Sequence, residues 1–160
     1  MMSKLKIVES LTMCNAKITP ELPYHILMFD GGSRGNPGPA GAGYVIYYGD
    51  KEVAHGYKYI GIASNNEAEY TALICGLHTA LDMGVERLLI KGDSLLVINQ
   101  VIGKWDVKAA HLRPLCLEAA LLLTDLIEFS IKHVKRNQNK RADTLANQAM
   151  DTKTEWSTYI

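Results

Sequence analysis

The amino-acid sequence predicts an α/β protein with one mixed sheet flanked by helices. Apolar runs of strand length alternate with segments whose apolar residues recur at helical spacing, in the order β-β-β-α-β-α-α-β-α. A length of 160 residues suits a single domain with its own core, and 48% hydrophobic residues is an ordinary content for a globular protein. We expect five strands, which are an antiparallel meander of three strands followed by two parallel strands.

The strands are predicted from apolar runs that are bounded by turn residues. The first run is continuously apolar, which is typical of a central strand buried on both faces. The second and third runs are separated only by Gly49 and Asp50, which predicts a tight turn. The five predicted strands lie at residues 24–29, 41–50, 51–61, 86–93 and 127–134.

The clearest predicted helix covers residues 64–84. Ser64 and Glu67 have the spacing of a capping box, and Gly84 follows the last apolar position. Pro114 is tolerated in a helix only near the first turns. The other helices are predicted at residues 94–103, 109–126 and 139–150.

Charge and cysteine content restrict the class of protein. Lys and Arg balance Asp and Glu at 17 each, so the overall charge predicts neither a nucleic-acid nor a membrane partner. Residues 132–141 nevertheless hold five cations and no acid. This basic cluster is either an ordinary solvated surface or a contact to phosphates. Cys14, Cys75 and Cys116 form no C-x-x-C pair, which argues against a disulfide framework or zinc knuckle and suits a reducing compartment.

Segments that would direct the chain to a membrane or out of the cell are not recognisable. No apolar stretch reaches transmembrane length, and the first residues are too polar for a secretory signal. We therefore expect no membrane partner and an intracellular, cytoplasmic protein, with a nuclear or mitochondrial location left open.

Four acidic residues fall where the predicted elements meet at one edge of the sheet. The third strand of a meander runs parallel to the first, so helix 64–84 starts at that edge and delivers strand four parallel to strand one. Ligands of open α/β sheets bind at this carboxyl-end crevice. The acids at these element ends are Asp30, Glu69, Asp93 and Asp143.

Each of these acids also has a simpler explanation. Asp30 and the following glycine can form a turn, Asp93 can cap a helix, and Asp143 can be an ordinary first-turn acid. Glu69, by contrast, lies on the helix face predicted to meet the sheet, whereas Glu67 is assigned to the positive helix end. Convergence of all four acids on one crevice is the observation that favours a functional site.

A crevice with four carboxylates needs protons or cations to offset their repulsion. Ligands that are all oxygen select hard ions such as Mg²⁺ or Mn²⁺, and the lack of a His/Cys cluster argues against zinc. Two such ions, about 3.5–4 Å apart, can hold the attacking and leaving oxygens of a phosphodiester. The acids therefore predict metal-dependent phosphodiester chemistry.

Four sequence blocks resemble the signature of type 1 ribonuclease H: FDGGSRGNPGPAGAG, SNNEAEY, GDSLLVINQ and NQNKRADTLANQA. The resemblance covers residues 24–151 and implies the ribonuclease H-like fold there, between an N-terminal arm at 1–23 and a C-terminal tail at 152–160. It implies a monomeric endonuclease that cleaves the RNA strand of RNA/DNA hybrids with two Mg²⁺ ions, which Mn²⁺ can replace. The products would carry 3′-hydroxyl and 5′-phosphate ends. By motif position, the implied metal ligands and catalytic acids are Asp30, Glu69, Asp93 and Asp143.

The resemblance also implies contacts to the substrate. A glycine-rich turn would bring backbone close to the RNA strand, whose wide minor groove displays 2′-hydroxyls. Asn36, Asn65 and Asn66 occupy positions that resemble those of the family's minor-groove contacts. Ser64 occupies a position that resembles that of a contact to a DNA-strand phosphate, and Trp105 would stack along the DNA strand. Helix caps and turns for the asparagines, and a core position for Trp105, are the alternatives. The implied substrate-binding residues are Gly31, Gly32, Ser33, Asn36, Ser64, Asn65, Asn66 and Trp105.

The sequence departs from the family pattern in three places. Familiar bacterial members carry a histidine in the loop before the last acid, where this chain has Arg136 or Asn137. We assign Arg136 to catalysis, through phosphate orientation or product release, with a distant backbone contact as the alternative, and we interpret His133 as a strand-end residue. Residues 103–118 lack the basic handle of some members, and residues 1–23 show no separate hybrid-binding domain, so we expect modest, salt-sensitive affinity.

Two other functions remain compatible with the sequence. One is a nucleic-acid-binding or scaffold protein that kept this fold without turnover, although relatives of that kind usually lose at least one acid. The other is the same chemistry on double-stranded RNA, or in a domain derived from a retroelement.

Overall fold

The computed structural model describes residues 23–160, which form one sheet of six strands in the order β5-β4-β1-β2-β3-β6. β1 pairs antiparallel with β2 and parallel with β4, β2 pairs antiparallel with β3, and β4 pairs parallel with β5. The predicted meander and parallel pair are confirmed. The predicted arm lies outside the described residues except for residue 23. The bounds are β1 (His25–Ser33), β2 (Gly38–Tyr48), β3 (Lys51–Ala63), β4 (Arg87–Gly92), β5 (Glu128–His133) and β6 (Glu155–Tyr159).

The sixth strand corrects the expected count of five. β6, within the segment predicted to be a C-terminal tail, pairs antiparallel with β3 from Lys58 opposite Glu155 to Ala54 opposite Tyr159. Aromatic and β-branched residues favour its extended backbone. Every residue of β6 is exposed, so the alternation of buried and exposed positions that predicts a strand is missing.

The helices begin and end close to their predicted limits. Ser64 caps α1, with its hydroxyl accepting from the Glu67 backbone N–H at 3.2 Å, so the predicted capping box is confirmed. The helix expected at residues 109–126 is divided into a 3₁₀ turn at Ala110–Leu112 and α3, with Pro114 in the first turn. The helices are α1 (Asn65–Asp82), α2 (Leu95–Val101), α3 (Arg113–Leu123) and α4 (Lys140–Thr152).

The two faces of the sheet carry different helices. α1 packs on the face that carries Leu27 and Phe29, both fully buried, and α3 packs against α1. α4 packs on the opposite face, mainly against β1, β2 and β3. There the helix lies so close that a Cβ on Gly43 would come within 2.5 Å of the Ala146 backbone nitrogen. Within residues 23–160, no helix combines the length and hydropathy needed to cross a bilayer.

Candidate active site

The site lies where β1 separates from β4. Pairing between these strands ends at Phe29 opposite Gly92, whereas pairing of β1 with β2 continues to Ser33. Asp30 is therefore the first residue beyond the parallel ladder but still inside β1, which extends further than predicted. Asp93 directly follows β4. The separation opens a cavity of about 480 Å³ at the edge of the sheet where we expected the acids to meet.

The structure brings the four predicted acids together around this cavity. Asp30, Glu69 and Asp93 each place a carboxylate oxygen within 4.8 Å of the others. Asp30 is only 6% exposed and Glu69 only 7% exposed. Asp143 lines the same cavity from the first turn of α4. Two largely buried acids, packed beside two others, are costly to ionise without a cation.

The electrostatics of the site reflect this crowding. Burial, the charge of Asp93 and the neighbouring Asp143 carboxyl raise the pKa of Asp30 to about 8, against an opposing hydrogen bond with Glu69. Burial and then the charge of Asp30 raise the pKa of Glu69 well above its usual value. Among the described residues, Glu69 Oε2 is buried without a hydrogen-bond partner. An unpartnered oxygen among oxygen-only ligands fits a hard divalent cation.

Comparison with known proteins agrees with this site. The family model described as Reverse transcriptase-like matches residues 28–149. The Ribonuclease HI of Halobacterium salinarum is 50% identical over 124 residues, which are 77% of this chain and 62% of that protein. The crystal structure of RNase H1 from Halobacterium salinarum NRC-1 matches with a TM-score of 0.78 and 48% identity, over 81% of this chain and 98% of that one. The chain belongs to the type 1 ribonuclease H family.

Another similar structure was solved with a nucleic acid bound to it. LC11-RNase H1, solved in complex with an RNA/DNA hybrid, matches with a TM-score of 0.75 and 34% identity, over 81% of this chain and 98% of that one. The chain spans 62% of the length of the curated Halobacterium relative, less than two thirds of it.

A buried asparagine that the sequence analysis does not single out organises the acids. Asn139 is 1% exposed, and its Nδ2 donates to the Phe29 carbonyl at 2.8 Å, directly before Asp30. The backbone carbonyl oxygen of Asn139 accepts from the Asp143 backbone N–H at 3.1 Å. Asn139 thus ties the start of α4 to the point where β1 leaves β4. An asparagine at the first position of the predicted helix is the sequence signal, and it is the ordinary signal for a cap.

The predicted substrate loop is held to α1 by its own polar groups. The Ser33 backbone N–H donates to Asn65 Oδ1 at 2.8 Å, and the Asn65 backbone N–H donates to Asn36 Oδ1 at 3.1 Å. Asn36 Oδ1 therefore accepts from a backbone N–H at the start of α1, as a cap would, whereas Asn65 Oδ1 bonds a residue 32 positions away and forms neither a cap nor a turn. Among the described residues, neither side-chain amide nitrogen has a hydrogen-bond partner. Each of these two asparagines uses its side-chain oxygen to hold the loop, and its side-chain NH₂ group stays available to a ligand.

Arg34 is a second residue that the sequence analysis does not assign. It lines the cavity, and its guanidinium lies 2.6 Å from the Asp151 carboxylate and donates to Asn147 Oδ1 at 3.4 Å. Both partners belong to α4. Arg34 therefore connects the glycine-rich loop to the helix that carries Asp143.

The remaining predicted residues do not all lie in the cavity that holds the acids. Gly31, Gly32, Ser33 and Asn65 line the cavity. Asn66 and Trp105 instead line a neighbouring groove of about 550 Å³, together with Lys104 and Lys108. Trp105 is 46% exposed, so it is not a core residue. Ser64 and Asn36 line neither of these spaces and lie at the start of α1 and in the loop bonded to it.

A buried polar network holds the loop that carries Trp105. Tyr70 donates from its hydroxyl to Gln100 Oε1 at 2.7 Å, and Gln100 Nε2 donates to the Asp106 carbonyl at 3.4 Å. Tyr70 is the neighbour of Glu69 in α1. The groove and the acids are thereby built on the same helix.

Arg136 and His133 lie at the rim of the acid cluster. Arg136 Nη2 is 4.0 Å from Asp143 Oδ1, and its side chain is 84% exposed. His133 ends β5, as interpreted from the sequence, and its Nε2 lies 3.2 Å from the Asp93 carbonyl oxygen. Lys135 also lines the cavity. An exposed guanidinium beside Asp143 can reach a phosphate, but it cannot accept a proton near neutral pH.

The Arg136→Ala variant is expected to lower kcat by about tenfold while KM changes little, because a guanidinium beside Asp143 would act on the reacting or departing phosphate. Steady-state cleavage of a labelled hybrid measures both constants. Lys135→Ala is the neighbouring control and should raise KM while preserving kcat. If both variants raise KM alike and spare kcat, Arg136 makes only a backbone contact and is not catalytic.

Proposed function

We propose that this protein is an endonuclease that hydrolyses the RNA strand of RNA/DNA hybrids, leaving 3′-hydroxyl and 5′-phosphate ends. The observation that carries the proposal is the set of three carboxylates within 4.8 Å of one another, with Asp143 lining the same cavity. We further propose that the protein acts as a monomer in the cytoplasm. The hybrid bound by the relative LC11-RNase H1 supports the choice of substrate.

The four acids would hold two divalent ions, with Mg²⁺ preferred and Mn²⁺ as a substitute. When bound, such ions stabilise the charge that develops on the attacking and leaving oxygens of a phosphodiester. The negative charges of the four carboxylates would balance the positive charges of the ions. The buried Glu69 Oε2 would supply an oxygen that has no other partner among the described residues. Asn139 fixes the spacing between Asp30 and Asp143, because it bonds the backbone next to each acid.

Recognition of the duplex would use the surfaces on either side of Asn65. The free amide groups of Asn36 and Asn65 offer hydrogen-bond donors to a minor groove. The groove with Asn66, Trp105, Lys104 and Lys108 offers an aromatic surface and cations to the DNA strand. Arg136 would orient the scissile or departing phosphate.

A panel of labelled RNA/DNA, RNA/RNA, DNA/DNA and single-stranded RNA, incubated with Mg²⁺, Mn²⁺ or chelator, tests this proposal. Cleavage restricted to the RNA of the hybrid, and abolished by chelator, is the expected result. Cleavage of RNA/RNA at a similar rate would change the substrate class. Binding of the hybrid without any cleavage would favour a scaffold.

Replacing the ribonucleotides around the scissile bond by deoxyribonucleotides is expected to stop cleavage, because contacts that position the strand include 2′-hydroxyls. The measurement is the product pattern of hybrids that differ only in these sugars. A fully ribose-containing strand of the same sequence is the control. Equal cutting of the substituted strand would contradict recognition through the sugar.

A further inference from the structure

Two lysines lie opposite each other beside the candidate active site. Lys91 of β4 and Lys132 of β5 are cross-strand neighbours in the parallel ladder. Opposed residues project from the same face of a sheet, and like charges in that arrangement destabilise it. At the other end of the same face, Arg87 opposes Glu128, with Nε and Oε2 3.2 Å apart. The pair of strands β4 and β5 thus carries opposite charges at the end far from the site and two positive charges at the end next to it.

The face that carries these lysines is open. Leu88 and Ile90 are fully buried in the same core cluster as Leu27 and Phe29, so Lys91 projects from the opposite face by the alternation of the strand. α4 occupies that face mainly over β1, β2 and β3. Lys132 is exposed and Lys91 is half-buried. Within residues 23–160, neither amine makes an ion pair with a carboxylate.

The positive charge continues from this lysine pair into the cavity. Lys91 is two residues before Asp93, and Lys135 lines the cavity three residues after Lys132. We name Lys91, Lys132 and Lys135 the basic band. The chain has no net charge, so the basic band is a local concentration and not part of a general excess. An uncompensated lysine pair is stabilised when an anion lies against it.

We propose that the basic band binds phosphates of the substrate strand on the side of the acids opposite the glycine-rich loop. Lys91 and Lys132 lie on β4 and β5, on one side of β1, whereas the loop joins β1 to β2 on the other side. A backbone that crosses the cavity would meet these amines after it leaves the acids. A nucleic-acid backbone fits better than an acidic peptide, because the basic band opens into the cavity where the phosphodiester would react. This inference rests on the proposed function.

The test uses opposite effects on stability and binding. Lys132→Glu is expected to raise the melting temperature, because it replaces a repulsive neighbour of Lys91 by an attractive one. The same variant is expected to raise KM severalfold. Lys132→Gln should raise KM less and make the logarithmic salt dependence of hybrid binding shallower by about one. Lys51→Gln, at another exposed lysine on a strand, is the matched control and should change neither KM nor the salt dependence.

Binding is measured by fluorescence anisotropy of a labelled hybrid in chelator, so that it does not depend on cleavage. Unchanged affinity and salt dependence in both Lys132 variants would overturn the assignment of the basic band. Hybrid cleavage by the unaltered protein would then still support the proposed function. A fall in melting temperature for Lys132→Glu would also overturn the inference, because the lysine pair would then be structurally compensated.

Discussion

The Asp30→Asn variant is expected to lose hybrid cleavage by about three orders of magnitude and to melt at a higher temperature than the unaltered protein. The carboxylate lies within 4.8 Å of both Glu69 and Asp93, so under the proposed function its loss would remove a shared metal ligand. The same change removes a largely buried carboxyl whose ionised form its neighbours repel. Cleavage assays with Mg²⁺ and thermal denaturation in chelator measure the two effects.

The stability effect has a defined pH dependence. The pKa of Asp30 is raised from its usual 3.8 to about 8 by burial and then by Asp93, so the metal-free folded protein binds a proton that the unfolded chain releases. Stability in chelator should therefore be greatest below about pH 4 and fall as pH rises from there to about 8. Asp30→Asn should flatten this dependence and add at least about 1.4 kcal/mol at pH 8, the free energy of one pKa unit.

The exposed Asp125 provides the control for this variant. Asp125→Asn also removes one carboxylate, but it lies outside the cavity and should leave cleavage and the pH dependence of melting unchanged. A folded Asp30→Asn protein that cleaves at a near-normal rate would remove Asp30 from the mechanism.

Gly31→Ala is expected to destabilise the fold by about 3 kcal/mol and to lower activity strongly, whereas Gly32→Ala should fold normally. A Cβ on Gly31 would lie 2.2 Å from the Ala68 carbonyl carbon and 2.5 Å from the Glu69 nitrogen, which are backbone atoms of α1 that cannot yield locally. A Cβ on Gly32 would meet only the Met150 Cε, at 3.7 Å. Chemical denaturation and hybrid cleavage of the two variants provide the comparison.

The two glycines also separate two reasons for a glycine-rich loop. Gly31 is required by the close approach of β1 and α1, whatever the ligand. Gly32→Ala tests the approach of the RNA strand, because the protein itself leaves room for the methyl group. Normal stability of Gly31→Ala would contradict the packing argument, and a folded Gly32→Ala variant with raised KM would support contact with the strand.

The acids could be predicted from the sequence because strand ends and crossover direction determine their location. Asp30 follows one predicted strand, Asp93 ends another and Asp143 lies in the first turn of a predicted helix, while the capping box marks the helix that carries Glu69. Periodicity does not report contacts between distant residues. The hydrogen bond from Asn139 to the Phe29 carbonyl spans 110 positions, and no local pattern distinguishes it from a helix cap.

Other features escape prediction for different physical reasons. β6 buries none of its residues, so its pairing with β3 depends on backbone hydrogen bonds that leave no hydropathy pattern. Arg34 gains its role from Asp151, which lies more than a hundred residues later in the chain. Trp105 could be assigned to a surface only once the structure gave its exposure.

The hydrogen bonds of the glycine-rich loop determine which base edges it could read. Asn65 and Asn36 each use their carbonyl oxygen on a backbone N–H of the protein, so both present an NH₂ group to an incoming duplex. The minor groove of every base pair carries acceptors, at purine N3 and pyrimidine O2, whereas only G·C pairs add a donor. Two outward donors thus suit A·T and G·C pairs alike. The loop would recognise the groove of the duplex without selecting its sequence.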